Sequence, residues 1–136
     1  MPYLNDFDFL QNGDLVLSEP SVAHNDEYFH RIVLENKPNG RLLLFDMRRK
    51  EFFVLVDELY TPNGVQIYEK FLWNQKPNFS TFTSVIFLNT TNGEIIQAWN
   101  DPTGNSIGGI TQVLPINDKV FLFGTDMAPA LFLLKL

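Results

Sequence analysis

The stretch from Gly40 to Ile67 constrains the fold of this chain more than any other, because it holds two extended segments, a basic turn and a polar loop in a fixed order. Aromatic residues, leucine and valine dominate the second segment, 52–56, which follows the first segment, 42–46, after the basic turn at 47–50. Such residues are enriched in β-strands, so this stretch predicts a β-hairpin.

A polar loop, Thr61-Pro62-Asn63-Gly64, ends the hairpin pattern. Pro62 biases Thr61 toward an extended conformation and removes a backbone donor, while Gly64 permits positive φ. Asn63 lies between them and therefore carries its amide on a constrained turn. A Pro-Asn-Gly sequence taken alone more often indicates an ordinary turn than a ligand site.

The order of these features closely resembles the conserved region of strictosidine synthase-like proteins. The resemblance runs from Gly-Arg-Leu-Leu at 40–43, through Asp46 and Val-Leu-Val-Asp at 54–57, to Pro-Asn-Gly-Val at 62–65. The superfamily includes six-bladed β-propellers with a calcium ion on the central axis, among them paraoxonases, gluconolactonases and squid-type phosphotriesterases. The resemblance, which covers residues 5–67 with good specificity, therefore implies a propeller fold.

The flanking residues predict further β-structure. Alternation over 6–10, an Asn-Gly turn at 11–13 and an apolar run at 14–18 predict a second hairpin. Between 21 and 37 the pattern predicts a short helix that is capped by residues 24–27.

The second half of the chain reads mostly as strands. Residues 68–73 predict one strand, followed by a loop at 74–78. Five further strands are predicted at 85–88, 94–99, 110–114, 119–124 and 131–134. Residues 84–136 resemble the final blade of the same family, including its Asp-Pro-x-Gly turn at 101–104.

The length of the chain limits how much of a propeller it can form. A four-stranded blade takes about 40–50 residues, so 136 residues supply about three blades. The predicted fold class is an all-β partial β-propeller, a fragment of a six-bladed calcium-dependent phosphotriesterase/strictosidine synthase-like propeller, with residues 1–136 as one domain. The resemblance lapses between 67 and 84, which indicates missing middle blades. A self-contained β-sheet protein with its own closure is the alternative.

Composition and charge exclude several classes of protein. A net charge of −6 and a single short basic cluster at 48–50 oppose nucleic-acid binding. No run reaches the ~18 apolar residues that a transmembrane helix needs, and the N-terminal sequence does not match a signal peptide. We therefore expect a soluble chain, although the resemblance implies the endoplasmic reticulum, the secretory pathway or a membrane-associated location.

The resemblance implies a calcium site whose ligand set is incomplete here. Asn5 matches the first of two asparagine ligands of the calcium-bearing relatives, and Asn63 matches the second. Their glutamate ligand and an Asp-Asn pair have no counterpart in this sequence. Calcium prefers six to eight oxygens with carboxylates among them, so we expect poor affinity.

The resemblance also implies an activity, namely calcium-dependent hydrolysis of small esters or lactones, which we expect to be impaired. Strictosidine synthases use a late glutamate, and the matching position is close to Thr111, which cannot act as a carboxylate. No catalytic residue is identified, and true strictosidine synthesis is not expected. A non-catalytic β-sheet interaction module or degenerate fragment is the alternative.

Three weaker signals remain. His24 and His30 invite a metal or general-base interpretation, but an exposed or hydrogen-bonded histidine is the more common outcome at such a spacing. The sequons at 78–80 and 89–91 give weak support for a glycoprotein. Apolar strands at 52–56 and 120–123 would lie at blade edges without neighbours, so we expect the chain to self-associate or to need a partner to remain soluble.

Overall fold

Three antiparallel β-sheets form the chain in a computed structural model that describes residues 3–68, 71–73, 83–101, 110–125 and 130–136. The strands of the first two sheets are β1 (Phe7–Phe9), β2 (Leu15–Glu19), β3 (Gly40–Asp46), β4 (Glu51–Leu59), β5 (Gln66–Tyr68), β6 (Phe71–Trp73), β7 (Thr83–Asn89) and β8 (Ile95–Asp101). The third sheet contains β9 (Ile110–Asn117), β10 (Val120–Thr125) and β11 (Leu131–Lys135). A 3-10 helix (Asp26–Tyr28) and α1 (Phe29–Glu35) lie between β2 and β3.

The first sheet contains β1, β2, β3 and β4 in that order, and it confirms both predicted hairpins. Asp46 shapes the basic turn, because its Oδ1 accepts hydrogen bonds from the backbone N–H groups of Arg48 (2.9 Å) and Arg49 (2.8 Å). The bond from Arg49 is the largest cause of a lowered pKa at the Asp46 carboxyl. A short polar side chain at the start of a turn thus closes the hairpin locally.

The helix predicted between 21 and 37 is present, but its predicted cap is wrong. Asn25 precedes the 3-10 helix and makes no capping hydrogen bond with its side chain. Ser21 instead organises the entry to this segment, since its buried Oγ accepts hydrogen bonds from the backbone N–H groups of Ala23 and His24, both at 3.1 Å. The helix ends at Glu35 and is followed by the C-cap residue Asn36, which adopts positive φ.

The second sheet has the order β5, β6, β7, β8, and it differs from the sequence-based expectation at its start. The single strand predicted at 68–73 is wrong, because β5 and β6 pair with each other and Gln66 lies opposite Trp73. Residues 74–82 and 102–109, which include the first sequon and most of the Asp-Pro-x-Gly turn, lie outside the described residues. The hairpin of β7 and β8 is confirmed.

The third sheet has the order β11, β10, β9, and its three strands confirm the predicted C-terminal strands. The turn between β9 and β10 is shaped by Asn117, whose Oδ1 accepts a hydrogen bond from the backbone N–H of Lys119 at 3.0 Å.

Side chains on β7 show how the three sheets stack. Ile86 and Leu88 pack toward the first sheet, whereas Val85 and Phe87 pack toward the third. Successive side chains of a strand point to opposite faces of its sheet, so the second sheet lies between the other two. The core against the first sheet contains the buried residues Val16, Leu42, Val65 and Leu88. The core against the third sheet contains the buried residues Val85, Ile110, Val113, Phe121 and Phe123.

The first strands of neighbouring sheets lie next to each other, since β1 contacts β5 and β5 contacts β9. Sheets that stack face to face while their first strands meet along one line are consecutive blades of a β-propeller. The predicted all-β partial propeller of three blades is therefore confirmed.

Candidate functional site

The two asparagines proposed from the sequence, Asn5 and Asn63, lie at the same end of β1 and β5, which are the first strands of neighbouring sheets. Asp6 Oδ2 accepts a hydrogen bond from the backbone N–H of Val65 at 2.8 Å, and Asp8 Oδ2 accepts one from Ile67 at 2.7 Å. Two residues forward along the first segment, from Asp6 to Asp8, the hydrogen-bonded partner also lies two residues forward, from Val65 to Ile67. β1 and β5 therefore run parallel. Asn5 precedes β1 and Asn63 precedes β5, and the parallel alignment brings them to one level.

Backbone hydrogen bonds hold Asn5 in place. Its N–H donates to the Ser18 carbonyl oxygen at 2.9 Å, and the Ser18 N–H donates to the Asp6 carbonyl oxygen at 2.9 Å. The buried Ser18 hydroxyl also accepts a hydrogen bond from the Asp6 N–H at 3.1 Å. These bonds extend the pairing of β1 with β2 and leave the Asn5 side chain to line a pocket.

Close packing around Gly40 holds the loop that carries Asn63. A Cβ atom at Gly40 would overlap Pro62 Cδ and would lie 2.8 Å from the Pro20 carbonyl oxygen. Glycine is therefore required where the two proline-containing segments meet.

The backbone of this loop corrects one sequence-based expectation. Thr61 was predicted to be extended, but its φ is +43°, whereas Gly64 does not adopt positive φ. Left-handed φ is unfavourable for a β-branched residue and persists only where the surroundings impose it. Thr61 and Pro62 are both buried, and this packing imposes the conformation.

Asn5 and Asn63 line one pocket of about 220 Å³. Its walls come from the segment before β1, the end of β2, the helical insert and the Pro-Asn-Gly loop. The lining residues are Tyr3, Asn5, Pro20, Asp26, Phe29, Thr61, Pro62 and Asn63. The pocket therefore combines apolar walls with two amides, a hydroxyl, a phenol and one carboxylate.

Tyr3 connects the polar groups of this pocket. Burial raises the pKa of the Tyr3 phenol, and the nearby Asp26 carboxylate raises it further. The Asn5 side chain has the opposite effect and lowers the Tyr3 pKa. A neutral phenol can donate a hydrogen bond to a carboxylate and accept one from an amide.

The sequence pattern of the strictosidine synthase family matches residues 5–101, which begin at the Asn5 side of the pocket and extend to the end of β8. The chain belongs to the strictosidine synthase family. This match continues through the 67–84 region, where the sequence resemblance was expected to lapse.

Individual relatives match shorter parts of the chain. STRICTOSIDINE SYNTHASE-LIKE 13 of Arabidopsis thaliana is 28% identical over 97 residues, which cover 71% of this chain and 21% of that protein. STRICTOSIDINE SYNTHASE-LIKE 6 of the same plant is 41% identical over 56 residues, which cover 41% of this chain and 15% of that protein. Human adipocyte plasma membrane-associated protein is 34% identical over 68 residues, which cover 49% of this chain and 16% of that protein. The chain thus spans about a fifth or less of the length of these strictosidine synthase family relatives.

The pocket does not provide the ligand set that calcium prefers. The structure adds Asp26, which sequence reasoning treated only as part of a helix cap, to the amides of Asn5 and Asn63. Calcium takes six to eight oxygens, including carboxylates, and the described residues contain no group of three histidine, cysteine, aspartate or glutamate side chains that could hold a metal. The residues present therefore do not fit a resident calcium ion of the kind expected for the strictosidine synthase family.

The other residues considered from the sequence lie apart from this pocket. His24 Nε2 and Glu35 Oε1 are 3.2 Å apart, and Lys37 Nζ lies 3.2 Å from Glu35 Oε2. The hydrogen bond from Lys37, followed by that from His24, lowers the pKa of the Glu35 carboxyl. His30 is exposed, and Thr111 is half-buried on β9. His24 thus has the hydrogen-bonded role expected as the commoner outcome.

Glu19 has a structural role that its sequence context did not reveal. Its side chain is buried and forms an ion pair with Arg41 Nε on the adjacent strand. Opposite residues on β2 and β3 bring the two together, because Glu19 pairs directly with Arg41. Glu19 also lines a second pocket of about 400 Å³ with Ser21 and Arg31. A buried carboxylate requires such a partner, since an unpaired one would be strongly destabilising.

Proposed function

We propose that this chain supplies part of the axial ligand pocket of a strictosidine synthase-like propeller, and that its 136 residues alone bind calcium weakly and do not hydrolyse esters or lactones. In the parent family we expect calcium-dependent hydrolysis of such substrates. The supporting observation is that Asn5 and Asn63, which precede the adjacent parallel strands β1 and β5, line one pocket whose described lining residues include one carboxylate.

The pocket suits a small neutral carbonyl compound better than a charged one. Pro20, Phe29 and Pro62 supply apolar walls, and an asparagine amide can donate a hydrogen bond to an ester or lactone carbonyl oxygen. The Asp26 carboxylate would repel an anionic ligand at the same position. We therefore assign the described residues a binding role and derive no catalytic step from them.

Titration calorimetry with calcium chloride tests the metal part of this proposal. We expect no site tighter than about millimolar, which is the range of weak extracellular-type sites. Asn63→Ala should leave the titration unchanged, as should the control Asn39→Ala, which alters an amide outside the pocket. A stoichiometric micromolar site that Asn63→Ala abolishes and Asn39→Ala retains would contradict the proposal.

Esterase and lactonase assays test the catalytic part. We expect the purified chain to hydrolyse phenyl acetate and simple lactones no faster than buffer does, with or without calcium. Turnover that a chelator removes and that Asn5→Ala abolishes would show that the pocket is a functioning hydrolase site.

A non-catalytic interaction module is the second candidate. It is favoured by the apolar side chains exposed on both outer sheets, including Phe52, Val54 and Leu133. Contiguous exposed apolar surface commonly marks a protein–protein contact. A pull-down in which a partner is retained by the chain but lost by a variant of one outer sheet would separate this role from the hydrolase role.

We also propose a membrane-associated or secretory location. A relative is named adipocyte plasma membrane-associated protein, and within the described part of this chain no helix has the length and apolar character required to cross a membrane. The second sequon begins at Asn89, whose Oδ1 accepts a hydrogen bond from the Thr91 N–H at 2.8 Å. Expression with microsomes, followed by glycosidase treatment, would show a mobility shift that Asn89→Gln removes if this site is glycosylated.

A further inference from the structure

The second pocket, of about 400 Å³, is formed by the end of β2, the segment that follows it and the helical insert. It shares no lining residue with the pocket of Asn5 and Asn63, so it is a separate site. Small-molecule sites are typically about 300–1,000 Å³ in volume, and this pocket falls in that range. The lining residues that matter for its chemistry are Glu19, Ser21, Val22, His24, Tyr28 and Arg31.

Hydrogen bonds hold the wall of this pocket in place. The buried Ser21 Oγ accepts a hydrogen bond from the His24 N–H at 3.1 Å, and the Val22 N–H donates to the Asn39 carbonyl oxygen at 2.9 Å. The His24 ring Nε2 lies 3.2 Å from Glu35 Oε1 at the end of α1. A wall that is already ordered lowers the entropic cost of binding a ligand.

Glu19 gives the pocket a buried acceptor. The residue is 1% exposed, and its Oε2 pairs with Arg41 Nε. Within the part of the chain that the structure describes, no donor forms a hydrogen bond with the other oxygen, Oε1. A buried polar atom that lacks a partner costs free energy, and proteins usually satisfy such an atom with a water or a ligand. Because Glu19 lines the pocket, a donor bound there can supply the missing hydrogen bond.

Arg31 gives the same pocket a cation. Its Cζ lies over the Tyr28 ring, 5.1 Å from the ring centroid. None of the ion pairs between described residues includes Arg31. The guanidinium N–H donors therefore remain available for a carboxylate, which they match in a planar, two-bond geometry.

These two side chains favour a ligand that carries both charges. A simple acid would pair with Arg31 but would bring no donor to Glu19, and a simple amine would meet Glu19 but would be repelled by Arg31. We propose that this pocket binds a free α-amino acid, with its carboxylate on Arg31 and its ammonium group toward Glu19. Val22 and Tyr28 expose apolar surface to the same pocket, so an apolar side chain on the amino acid fits best. The inference does not depend on the function proposed for the other pocket.

Titration of the 136-residue chain with three matched compounds tests the proposal. L-Leucine carries both charged groups, 4-methylpentanoate lacks the amine, and 3-methylbutylamine lacks the carboxylate. Nuclear magnetic resonance titration should give a dissociation constant of about 1 mM or lower for L-leucine. Each of the other two compounds should bind at least about tenfold more weakly, because each loses one charge-assisted contact.

Variants then locate the binding site. Arg31→Gln should raise the dissociation constant for L-leucine at least about tenfold, whereas the matched control Arg48→Gln changes an exposed arginine in the turn after β3 and should not alter it. Glu19→Gln should reduce the preference for L-leucine over 4-methylpentanoate. Asn63→Ala, which alters the other pocket, should leave L-leucine binding unchanged. Circular dichroism must show that each variant is folded, and Arg31→Gln alone is decisive if Glu19→Gln is not.

Three outcomes would overturn the proposal. The first is the absence of saturable L-leucine binding up to about 10 mM, which is ten times the expected dissociation constant. The second is equal binding of all three compounds, which would show that the charges do not select the ligand. The third is L-leucine binding that Arg31→Gln leaves unchanged or that Asn63→Ala abolishes, since either result would place the amino acid elsewhere on the chain.

Discussion

The two contacts between neighbouring blades in this chain are built differently. Between the first and second sheets, carboxylates of Asp6 and Asp8 accept hydrogen bonds from the backbone N–H groups of Val65 and Ile67, and the core beside them is aliphatic. Between the second and third sheets the core is aromatic, with Trp99 and Phe121 ring centroids 4.8 Å apart at an interplanar angle of 82°. A polar contact between these two sheets is a hydrogen bond from Tyr68 to Asp118, 3.2 Å long and exposed.

This difference separates two ways of holding blades together. Directional hydrogen bonds between adjacent inner strands specify the alignment of β1 with β5, because each carboxylate meets a particular backbone N–H. Aromatic packing buries more area but depends on shape rather than on a single donor. The candidate pocket lies at the hydrogen-bonded contact between the first and second sheets. The alignment of β1 with β5 places Asn5 and Asn63 at the same end of these two strands.

The largest expected effect is at the aromatic contact. Phe121→Ala should lower the free energy of unfolding by about 3–5 kcal/mol, because it leaves a cavity among buried aromatic side chains. The control Phe53→Ala makes the same change at an exposed position and should lower it by about 1 kcal/mol. Chemical denaturation at one fixed protein concentration measures both. Equal losses would show that the aromatic contact contributes no special stability.

A pair of glycines tests the fit between the first two blades. Gly13 and Gly93 both adopt positive φ in hairpin turns, so alanine at either should cost about 1–2 kcal/mol. A Cβ atom at Gly93 would also overlap the Leu55 carbonyl group of β4, whereas one at Gly13 meets nothing within 4 Å. Gly93→Ala should therefore be more destabilising than Gly13→Ala by a further ~1–3 kcal/mol, as measured by thermal unfolding. Identical shifts would indicate that the β7–β8 turn does not pack on the first sheet.

The hydrogen-bonded contact should respond to loss of a carboxylate. Asp8→Ala removes the acceptor for the Ile67 N–H and for Gln66 Nε2 and should lower the free energy of unfolding by about 1–3 kcal/mol. Asp118→Ala removes the exposed bond from Tyr68 at the other contact and should lower it by about 0.5 kcal/mol. Denaturant titration of the two variants compares the polar bonds directly. A larger loss for Asp118→Ala would reverse the proposed division of roles.

The smallest expected effect concerns the pocket itself. Burial and the Asp26 carboxylate raise the pKa of Tyr3 above its ordinary value of 10.0, so Asp26→Asn should lower it toward that value. Because the folded pKa is the higher one, the stabilising contribution is present below pH ~10 and is lost as the pH rises through the folded pKa. Ultraviolet titration, with Tyr3→Phe to identify the signal among the four tyrosines, measures the change. An unchanged Tyr3 pKa in Asp26→Asn would show that the Asp26 carboxylate does not act on Tyr3.

Much of the β-structure was predictable because its causes are local. The strand pattern from 40 to 59 and the turn at Asp46 depend on side-chain alternation and on hydrogen bonds within a few residues. The division of 66–73 into β5 and β6 was not predictable, since three-residue strands carry too little alternation and depend on pairing for their stability. Family resemblance supplied the propeller, together with Asn5 and Asn63, as residue patterns that matched other proteins.

The sequence by itself determined the hairpins, because these depend on neighbouring residues, and its resemblance to a family singled out the two asparagines. Only the tertiary structure decided that Asp26 enters the pocket, that Glu19 meets Arg41, and that Thr61 adopts positive φ. Asp26 and Asn63 line the same pocket although they lie far apart in the sequence, because packing sets the course of the insert that carries Asp26. Contacts between residues so far apart in the sequence depend on how the sheets stack and how the loops cross them. The spacing of residues along the chain does not determine either.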